Sequence, residues 1–205
     1  MPVCFGISFT NTRMNQARAL VHIYSDGSVG VSTGAVEMGQ GVNSKMIQVA
    51  AAALGISEKK IKLETTNTTR VANTSPSAAS STSDLNGKAV LDACKQLMER
   101  LKKTIKALLN VNDLVSISIK EEAVFINDIA AGLSWNQLIE QAFFTRVNLS
   151  AHGHYSTPLI HFDKVVEKGH PFAYHVYGTA LTTVTVDCLR GTYEIDGVHV
   201  VHDFG

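Results

Sequence analysis

The amino-acid sequence predicts an α+β fold in which mixed sheets carry two main helices packed on them. Three observations lead to this prediction. Short runs of alternating apolar residues, typical of strands, occur along the whole chain. Two longer runs, over residues 42–54 and 85–108, repeat their apolar residues with the period of a helix. The 205 residues contain no internal repeat and no clean linker, which predicts one compact unit over residues 1–205.

The first third of the chain places strands and turns before the first helix. Asp26-Gly27 is a strong hairpin signal between two alternating apolar runs. A glycine-rich turn over residues 34–41 then leads into the helix of residues 42–54, which Gly55 ends from the C′ position. The strands predicted in this part cover residues 4–10, 19–24, 29–32 and 61–65.

Residues 65–83 are almost wholly Thr, Ser, Asn and Ala. This composition suits a disordered linker, but it also suits an ordered loop whose hydroxyl groups bind a polar ligand. The amphipathic helix that follows directly, over residues 85–108, favours order. Each of the two loops, this one and the glycine-rich turn, leads into a helix, so each is a candidate cradle for an anion.

The last part of the chain mixes short strands, one further helix and a long hairpin. Ser134 and Gln137 have the spacing of a capping box and predict a helix that reaches about Phe144. The turn Arg190-Gly191 joins the two strands of the hairpin. The predicted strands cover residues 114–119, 123–126, 147–155, 175–189 and 192–203.

Composition argues against several classes of function. Eighteen basic and eighteen acidic residues give a net charge of zero, which disfavours nucleic acid or an anionic membrane as a partner. No apolar run approaches the ~18 residues of a membrane helix, and the N-terminus lacks the pattern of a signal peptide. Cys4, Cys94 and Cys188 lie far apart and are expected to be reduced thiols of a cytoplasmic protein. A mean hydropathy of +0.08 indicates apolar surface that a partner or further sequence covers.

The glycine-rich turn resembles the opening of a phosphate-binding loop, with Gly34 and Gly39 at the right spacing. Gln40 and Gly41, however, stand where such a loop carries Lys and Ser or Thr. The turn therefore suits a polar ligand held by hydrogen bonds better than a nucleotide that is hydrolysed. Free N–H groups at the helix start are expected to point at that ligand. Glu37 is interpreted as a cap or dipole partner in preference to a general base.

No set of residues in the sequence forms a complete catalytic or metal constellation. His152 and His154 share one face of a predicted strand, and His199 and His202 lie three apart, but neither pair has a further ligand at suitable spacing. The sequence contains none of the common serine, zinc or cysteine catalytic motifs. The expectation is that the chain contributes no catalytic residue and no metal ligand.

Several segments, in order along the chain, resemble the molybdenum-binding domain of the xanthine dehydrogenase and aldehyde oxidase family. The first is Phe5-Gly6-Ile7-Ser8-Phe9-Thr10, and the second is Glu37-Met38-Gly39-Gln40-Gly41. The third is the sequence NTSPSAASSTSDLNG of residues 73–87. The strand ends 184–187 and 201–205 are similar to the same family. The resemblance thus extends from residue 5 to the last residue.

This resemblance implies contacts at particular positions. The Met-Gly-Gln-Gly turn of the family holds the pterin of molybdopterin. Its Ala-Ala-Ser-x-Ser loop contacts the cofactor and flanks the molybdenum centre, and Thr82 stands here in place of the second serine. A Phe-Thr pair lines the substrate pocket, with the ring against the heterocycle. The implied cofactor-binding residues are Gly39, Gln40, Ala79, Ser80 and Thr82. The implied substrate-binding residues are Phe9, Thr10 and Ala78.

The activity implied by the resemblance is oxidative hydroxylation of a purine or a related heterocycle, with water as the oxygen source. Molybdopterin is the implied cofactor of the complete enzyme, and iron–sulfur clusters and FAD are implied on other domains or subunits. The family's catalytic glutamate and the upstream half of its pocket have no counterpart here. The chain is therefore expected to be a partial domain, truncated at both ends and inactive alone. Its expected partners are the remaining part of the molybdenum-binding chain and the iron–sulfur and FAD domains or subunits.

Two other functions stay open. A non-catalytic module that docks or forms a homo-oligomer through its long helix and apolar surface would agree with the high mean hydropathy. A nucleotide-phosphate binder is disfavoured by Gln40 in place of lysine. The choice between a purine and an aldehyde as substrate is open as well, because related aldehyde oxidases have a similar pocket phenylalanine.

Overall fold

The computed structural model describes residues 2–64, 66–112 and 114–203. These residues divide into two compact units. The larger unit consists of residues 13–157. The smaller unit combines the two ends of the chain, up to residue 12 and from residue 158 onward. The assignment of residues 1–205 to one partial domain stays a prediction.

Helices and several sheets confirm the predicted α+β class. The strands are β1 (Pro2–Ile7), β2 (Gln16–Ile23), β3 (Val29–Thr33), β4 (Ile61–Leu63), β5 (Ile117–Lys120), β6 (Ala123–Ile126), β7 (Ile129–Ser134), β8 (Ser150–Ser156), β9 (His161–Asp163), β10 (Lys168–His170), β11 (Tyr174–Asp187) and β12 (Thr192–His202). The helices are α1 (Val42–Leu54), α2 (Thr82–Leu109) and α3 (Trp135–Phe144), with short 3-10 turns over Thr12–Met14 and Glu58–Lys60. None of the helices described is long and apolar enough to cross a membrane.

The larger unit is built on a four-stranded sheet of order β4–β3–β2–β8. The pair β3–β4 is parallel and the other pairs are antiparallel. Every second residue of β2 is buried, from Ala17 to Ile23, because successive side chains of a strand point to opposite faces. The hairpin turn between β2 and β3 is confirmed: Asp26 Oδ1 accepts hydrogen bonds from the N–H and the hydroxyl of Ser28.

Helices α1 and α2 join the strands of this sheet in the hydrophobic core. Helix α1 has the predicted bounds and ends at Gly55, whose backbone has a φ of 71° and donates its N–H to Ala51 O at 2.8 Å. At Gly153 of β8, a Cβ would lie 2.0 Å from Ala89 O of α2. Only glycine lets this strand and this helix approach so closely.

An antiparallel sheet of order β5–β6–β7 and helix α3 complete the larger unit. The predicted capping box is present, since Ser134 Oγ accepts the N–H of Gln137 and Gln137 Oε1 accepts the N–H of Ser134. Trp135 is fully buried, and its Nε1 donates to Gly27 O at 2.8 Å. This hydrogen bond ties the start of α3 to the hairpin turn between β2 and β3.

The smaller unit contains an antiparallel sheet of order β1–β11–β12 and a ribbon formed by β9 and β10. Strands β11 and β12 form the predicted long hairpin. Large apolar side chains of this hairpin remain exposed in the structure, at Leu181, Val184, Val186, Tyr193, Ile195, Val198, Val200 and Val201. They account for much of the apolar surface that the mean hydropathy predicts.

Candidate functional site

The glycine-rich turn of residues 34–41 and the hydroxyl-rich loop of residues 66–81 lie against each other. The backbone N–H of Val36 donates to Ser77 Oγ at 2.8 Å, and Thr66 Oγ1 donates to Ala35 O at 3.0 Å. At Gly34, a Cβ would lie 1.8 Å from Thr74 Oγ1, so the close approach of the two loops requires glycine there. These contacts favour the ordered-loop interpretation over the disordered linker.

The two loops and the starts of α1 and α2 surround a cavity of about 330 Å³. It is lined by four residues that the resemblance implies as ligand contacts: Gln40, Ala78, Ser80 and Thr82. Gly39 and Ala79 are their chain neighbours and do not line the cavity themselves. The cavity thus brings together parts of two sequence motifs that are about forty residues apart in the chain.

The start of α1 differs from the prediction of free N–H groups. Glu37 folds back over it, and its Oε1 accepts the N–H groups of Gly39 and Gly41, both at 2.9 Å. Its Oε2 accepts the N–H of Asn43 at 3.0 Å. These hydrogen bonds, foremost that of Asn43, hold the pKa of the Glu37 carboxyl below its ordinary value of 4.5. An internal carboxylate therefore already occupies the anion position that the sequence leaves to a ligand.

Gln40 closes the same turn with both ends of its amide. Its Oε1 accepts the N–H of Met38 at 2.6 Å, and its Nε2 donates to Val36 O at 2.9 Å. Gly39 and Gly41 have φ values of 98° and 75°, which side chains rarely tolerate. One N–H of Nε2 and one lone pair of Oε1 remain for a ligand in the cavity.

The start of α2 is the more open of the two anion cradles. The N-cap residue Ser81 makes no side-chain hydrogen bond to the helix, because its hydroxyl donates to Ala78 O at 3.1 Å. Within the described part of the chain, the backbone N–H groups of Thr82 and Ser83 have no protein acceptor. Both residues line the cavity. A helix start with unsatisfied N–H groups attracts the negatively charged part of a ligand.

The hydroxyl-rich loop carries unusual backbone conformations at two of the implied contact residues. Ala79 and Ser80 have φ values of 54° and 52°, in the left-handed region. Such a conformation costs a residue with a side chain about 1–2 kcal/mol. Strained residues of this kind cluster at binding sites, where the surrounding structure holds them.

Phe9 and Thr10 belong to the smaller unit, where they follow β1. Phe9 is half-buried and Thr10 is exposed. The preceding residue, Ser8, is buried and has a φ of 139°, which ends the strand at Ile7 rather than at Thr10 as predicted. The role of the pair as substrate contacts stays a prediction.

Sequence reasoning missed five residues of the cavity wall, namely Met38, Val42, Lys45, Ser77 and Ser83. Lys45 gives no signal in the sequence, because a lysine on an amphipathic helix is usually solvated. The composition of the hydroxyl-rich loop marks Ser77 as polar, but only the fold shows its hydrogen bond to the glycine-rich turn.

Within residues 2–64, 66–112 and 114–203, no group of three or more His, Cys, Asp or Glu side chains is placed to hold a metal ion. His152 and His154 are both exposed on β8, as their spacing predicts. His154 Nε2 lies 3.4 Å from Gln16 Oε1. The residues that line the cavity between the two loops include an amide side chain and several hydroxyl side chains, which suit a polar organic ligand.

A family model described as "Molybdopterin cofactor-binding domain" matches residues 1–205. Xanthine dehydrogenase 1 of Arabidopsis thaliana is 39% identical over 205 residues, covering 100% of this chain and 13% of that protein. The xanthine dehydrogenase/oxidase of Mus musculus is 40% identical over 205 residues, again covering 100% of this chain and 14% of that protein. The chain therefore spans only a small part of the length of these relatives.

Solved structures share the fold. Quinoline 2-oxidoreductase from Pseudomonas putida 86 matches with a TM-score of 0.78 and 18% identity, over 100% of this chain and 26% of that one. The aldehyde oxidoreductase from Desulfovibrio desulfuricans ATCC 27774 matches with a TM-score of 0.75 and 21% identity, over 100% of this chain and 19% of that one. At these identities the likeness concerns the fold alone.

Proposed function

Because the chain belongs to the molybdopterin cofactor-binding domain family, we propose that it forms one wall of the molybdenum cofactor pocket of a xanthine dehydrogenase-type hydroxylase. The observation that carries this proposal is the cavity of about 330 Å³ at which the glycine-rich turn and the hydroxyl-rich loop meet. Two sequence motifs with an implied role in cofactor binding line the same space.

The groups around the cavity fit the cofactor. A pterin is a flat heterocycle with several hydrogen-bond donors and acceptors, and the amide of Gln40 and the hydroxyls of Ser80 and Thr82 can pair with such groups. The uncapped start of α2 suits a phosphate group. In this proposal Gln40, Ser80 and Thr82 hold the cofactor from the cavity wall, and their neighbours Gly39 and Ala79 contribute through the backbone of the two loops.

The molybdenum cofactor supplies the two-electron redox chemistry for hydroxylating a heterocycle with water as the oxygen source. The proposed substrate is a purine or a related heterocycle, because the curated relatives cited above are named xanthine dehydrogenases. Phe9, Thr10 and Ala78 are the proposed substrate contacts. Iron–sulfur clusters and FAD belong to other domains or subunits of the proposed enzyme. The proposed location is the cytoplasm, where the thiols of Cys4, Cys94 and Cys188 stay reduced.

Molybdenum content tests the proposal. The chain is purified alone and after co-expression with the remaining domains, and molybdenum is measured by elemental analysis alongside pterin fluorescence after oxidation. We expect both in the co-expressed complex, and we expect no turnover of xanthine by the chain alone.

Variants locate the cofactor within the complex. Gln40→Ala and Thr82→Val should each lower the molybdenum and pterin content, because each removes polar groups from the cavity. Thr183→Val, the same change on the exposed strand β11, should leave the content unchanged. Full molybdenum content in both cavity variants would contradict the assignment of this cavity.

The second candidate function is a non-catalytic module that docks or associates with itself. The observation in its favour is the apolar surface of the β11–β12 hairpin, where Leu181 is 66% exposed and Val201 is 72% exposed. If the chain is such a module, it carries no molybdenum in any complex. The same elemental analysis therefore separates the two candidate functions.

A further inference from the structure

A second cavity of the larger unit, of about 270 Å³, lies beside the outer face of the four-stranded sheet. It is lined by Arg18, Arg70, His152 and Thr68 together with backbone and small side chains. We propose that this cavity binds a phosphate group. It shares no lining residue with the cavity between the glycine-rich turn and the hydroxyl-rich loop, so the inference is independent of the proposed function.

The sheet register places basic residues together on this face. Arg18 alternates with the buried Ala17 and Ala19 along β2, so its side chain leaves the sheet on the side away from the core. Across the antiparallel pair, Arg18 stands opposite His154, and His152 lies two residues further along β8 on the same face. Arg18, His152 and His154 thus share one face of two neighbouring strands, and His22 lies further along β2 on the same face.

Arg18 is half-buried and has no carboxylate partner among the residues that the structure describes. A guanidinium always carries its charge, and its planar donors match an oxyanion in pairs. A partly desolvated arginine without an anionic partner is therefore a group that gains from binding an anion.

Arg70 is a second arginine in the cavity lining, and it belongs to the hydroxyl-rich loop. Its Nη1 lies 3.1 Å from Glu64 Oε2, which anchors the side chain, while Glu64 also lies 3.5 Å from Lys62 Nζ. The single carboxylate of Glu64 thus pairs with two positively charged side chains, those of Lys62 and Arg70. No acidic residue is among the described residues that line the cavity. The local charge is positive although the chain as a whole is neutral.

The donor set selects the class of ligand. The cavity is lined by two arginines, a histidine and Thr68, whose hydroxyl has no hydrogen-bond partner in the described ranges, and its volume exceeds that of one phosphate group. Tetrahedral oxyanions accept several hydrogen bonds at once, and arginine is well suited to phosphate for that reason. The cavity fits either inorganic phosphate or the phosphate of a small ester.

Isothermal titration calorimetry of the full chain at constant ionic strength tests the inference, with inorganic phosphate and glycerol 3-phosphate as the probes. We expect saturable binding of at least one probe. Stronger binding of the ester would identify a phosphorylated small molecule as the ligand, and stronger binding of inorganic phosphate would identify the free anion. Absence of saturable binding for both probes would overturn the proposal.

Matched variants locate the binding. Arg18→Gln should weaken binding about ten-fold or more, because a charge-assisted hydrogen bond is lost. Arg18→Lys keeps the positive charge and a long side chain at the same position of β2. It should weaken binding by a smaller factor than Arg18→Gln. Arg13→Gln removes an exposed arginine outside the cavity and should leave the affinity unchanged. An equal loss in Arg13→Gln and in the Arg18 variants would show unspecific attraction and overturn the assignment.

Discussion

The carboxylate of Glu37 accepts three backbone N–H groups at the start of α1. This arrangement makes the glycine-rich turn self-contained: its anion position is filled from within, and its contribution to a ligand comes from Gln40 and the backbone around it. The same feature links the stability of the turn to pH, because the carboxylate accepts these bonds in its charged form.

Substitution of Glu37 tests this link. A carboxyl whose pKa is lowered on folding stabilises the fold above its unfolded value, here 4.5, and loses this contribution as the pH falls through the lower folded pKa. Glu37→Gln should lower the melting temperature at pH 7. Below about pH 4.5, the melting temperature of this variant should fall less steeply with acid than that of the wild type, because the Glu37 carboxylate is no longer there to be protonated. Thermal unfolding between pH 3 and pH 7 measures both effects. Glu99→Gln, at an exposed site on α2, should keep the wild-type profile, and parallel curves for Glu37→Gln and wild type would contradict the prediction.

The left-handed conformation of Ala79 leads to a second prediction. Glycine tolerates a φ of 54° without strain, so Ala79→Gly should raise the free energy of unfolding by about 0.5–1 kcal/mol. The same change at Ala52, exposed within α1, should lower it by about 1 kcal/mol, because glycine weakens a helix interior. Denaturant unfolding of both variants gives the two signs, and destabilisation by Ala79→Gly would contradict the strained conformation.

For single residues, the sequence predicts better which side chains lie close together than which hydrogen bonds each of them makes. Gln40 and Thr82 belong to two separate motifs and line one cavity, while their contacts with a cofactor stay a prediction. Glu37 is correctly interpreted as a cap, but its occupation of the N–H groups expected for a ligand depends on the φ values of Gly39 and Gly41. Backbone angles of single turn residues are set by the packing around them, which composition and spacing do not contain.

Gly153 determines how closely β8 and α2 pack. A Cβ at this position would meet Ala89 O at 2.0 Å and Ala93 N at 2.6 Å, so Gly153→Ala should force the helix and the strand apart. We expect a loss of about 1–3 kcal/mol in the free energy of unfolding, as for other overpacked sites.

Gly87→Ala is the matched control on α2. Its Cβ would meet Met46 Cε at 3.6 Å, an ordinary contact, and alanine favours a helix over glycine. This variant should be neutral or more stable by up to about 1 kcal/mol. Unfolding in urea compares the two, and equal stability of Gly153→Ala and the wild type would contradict the close approach.

Elements with strong local signals are predicted from the sequence, and those formed by long-range contacts are not. Helix α1 has its predicted bounds because Gly55 stops it, and the capping box of Ser134 fixes the start of α3. Helix α2 begins at Thr82, three residues before the predicted start. The prediction relied on the periodic spacing of apolar residues, and the first turn of this helix is polar. Strand β7 and the ribbon of β9 and β10 are absent from the prediction. These short strands form by pairing with neighbours and have no marked alternation of their own.

For the whole molecule, the exposed apolar side chains of the β11–β12 hairpin imply association. Such a surface favours contact with another protein surface in water. The isolated chain should therefore elute in size-exclusion chromatography as an oligomer or aggregate whose share grows with concentration. Val200→Lys should lower that share, while Thr182→Lys on the neighbouring strand adds the same charge without removing apolar area. A monomer at all concentrations would contradict the implied association.

The hydrogen bond between Trp135 and Gly27 has a practical consequence for following the two units. Trp135 is the one tryptophan of the chain, and it is buried in the larger unit. The wavelength of its fluorescence maximum reports whether the larger unit is folded, because an indole exposed to water emits at longer wavelength. The smaller unit contains no tryptophan, so its melting is followed by calorimetry instead. Red-shifted light at one temperature and a separate calorimetric peak at another would reveal two independent melting events.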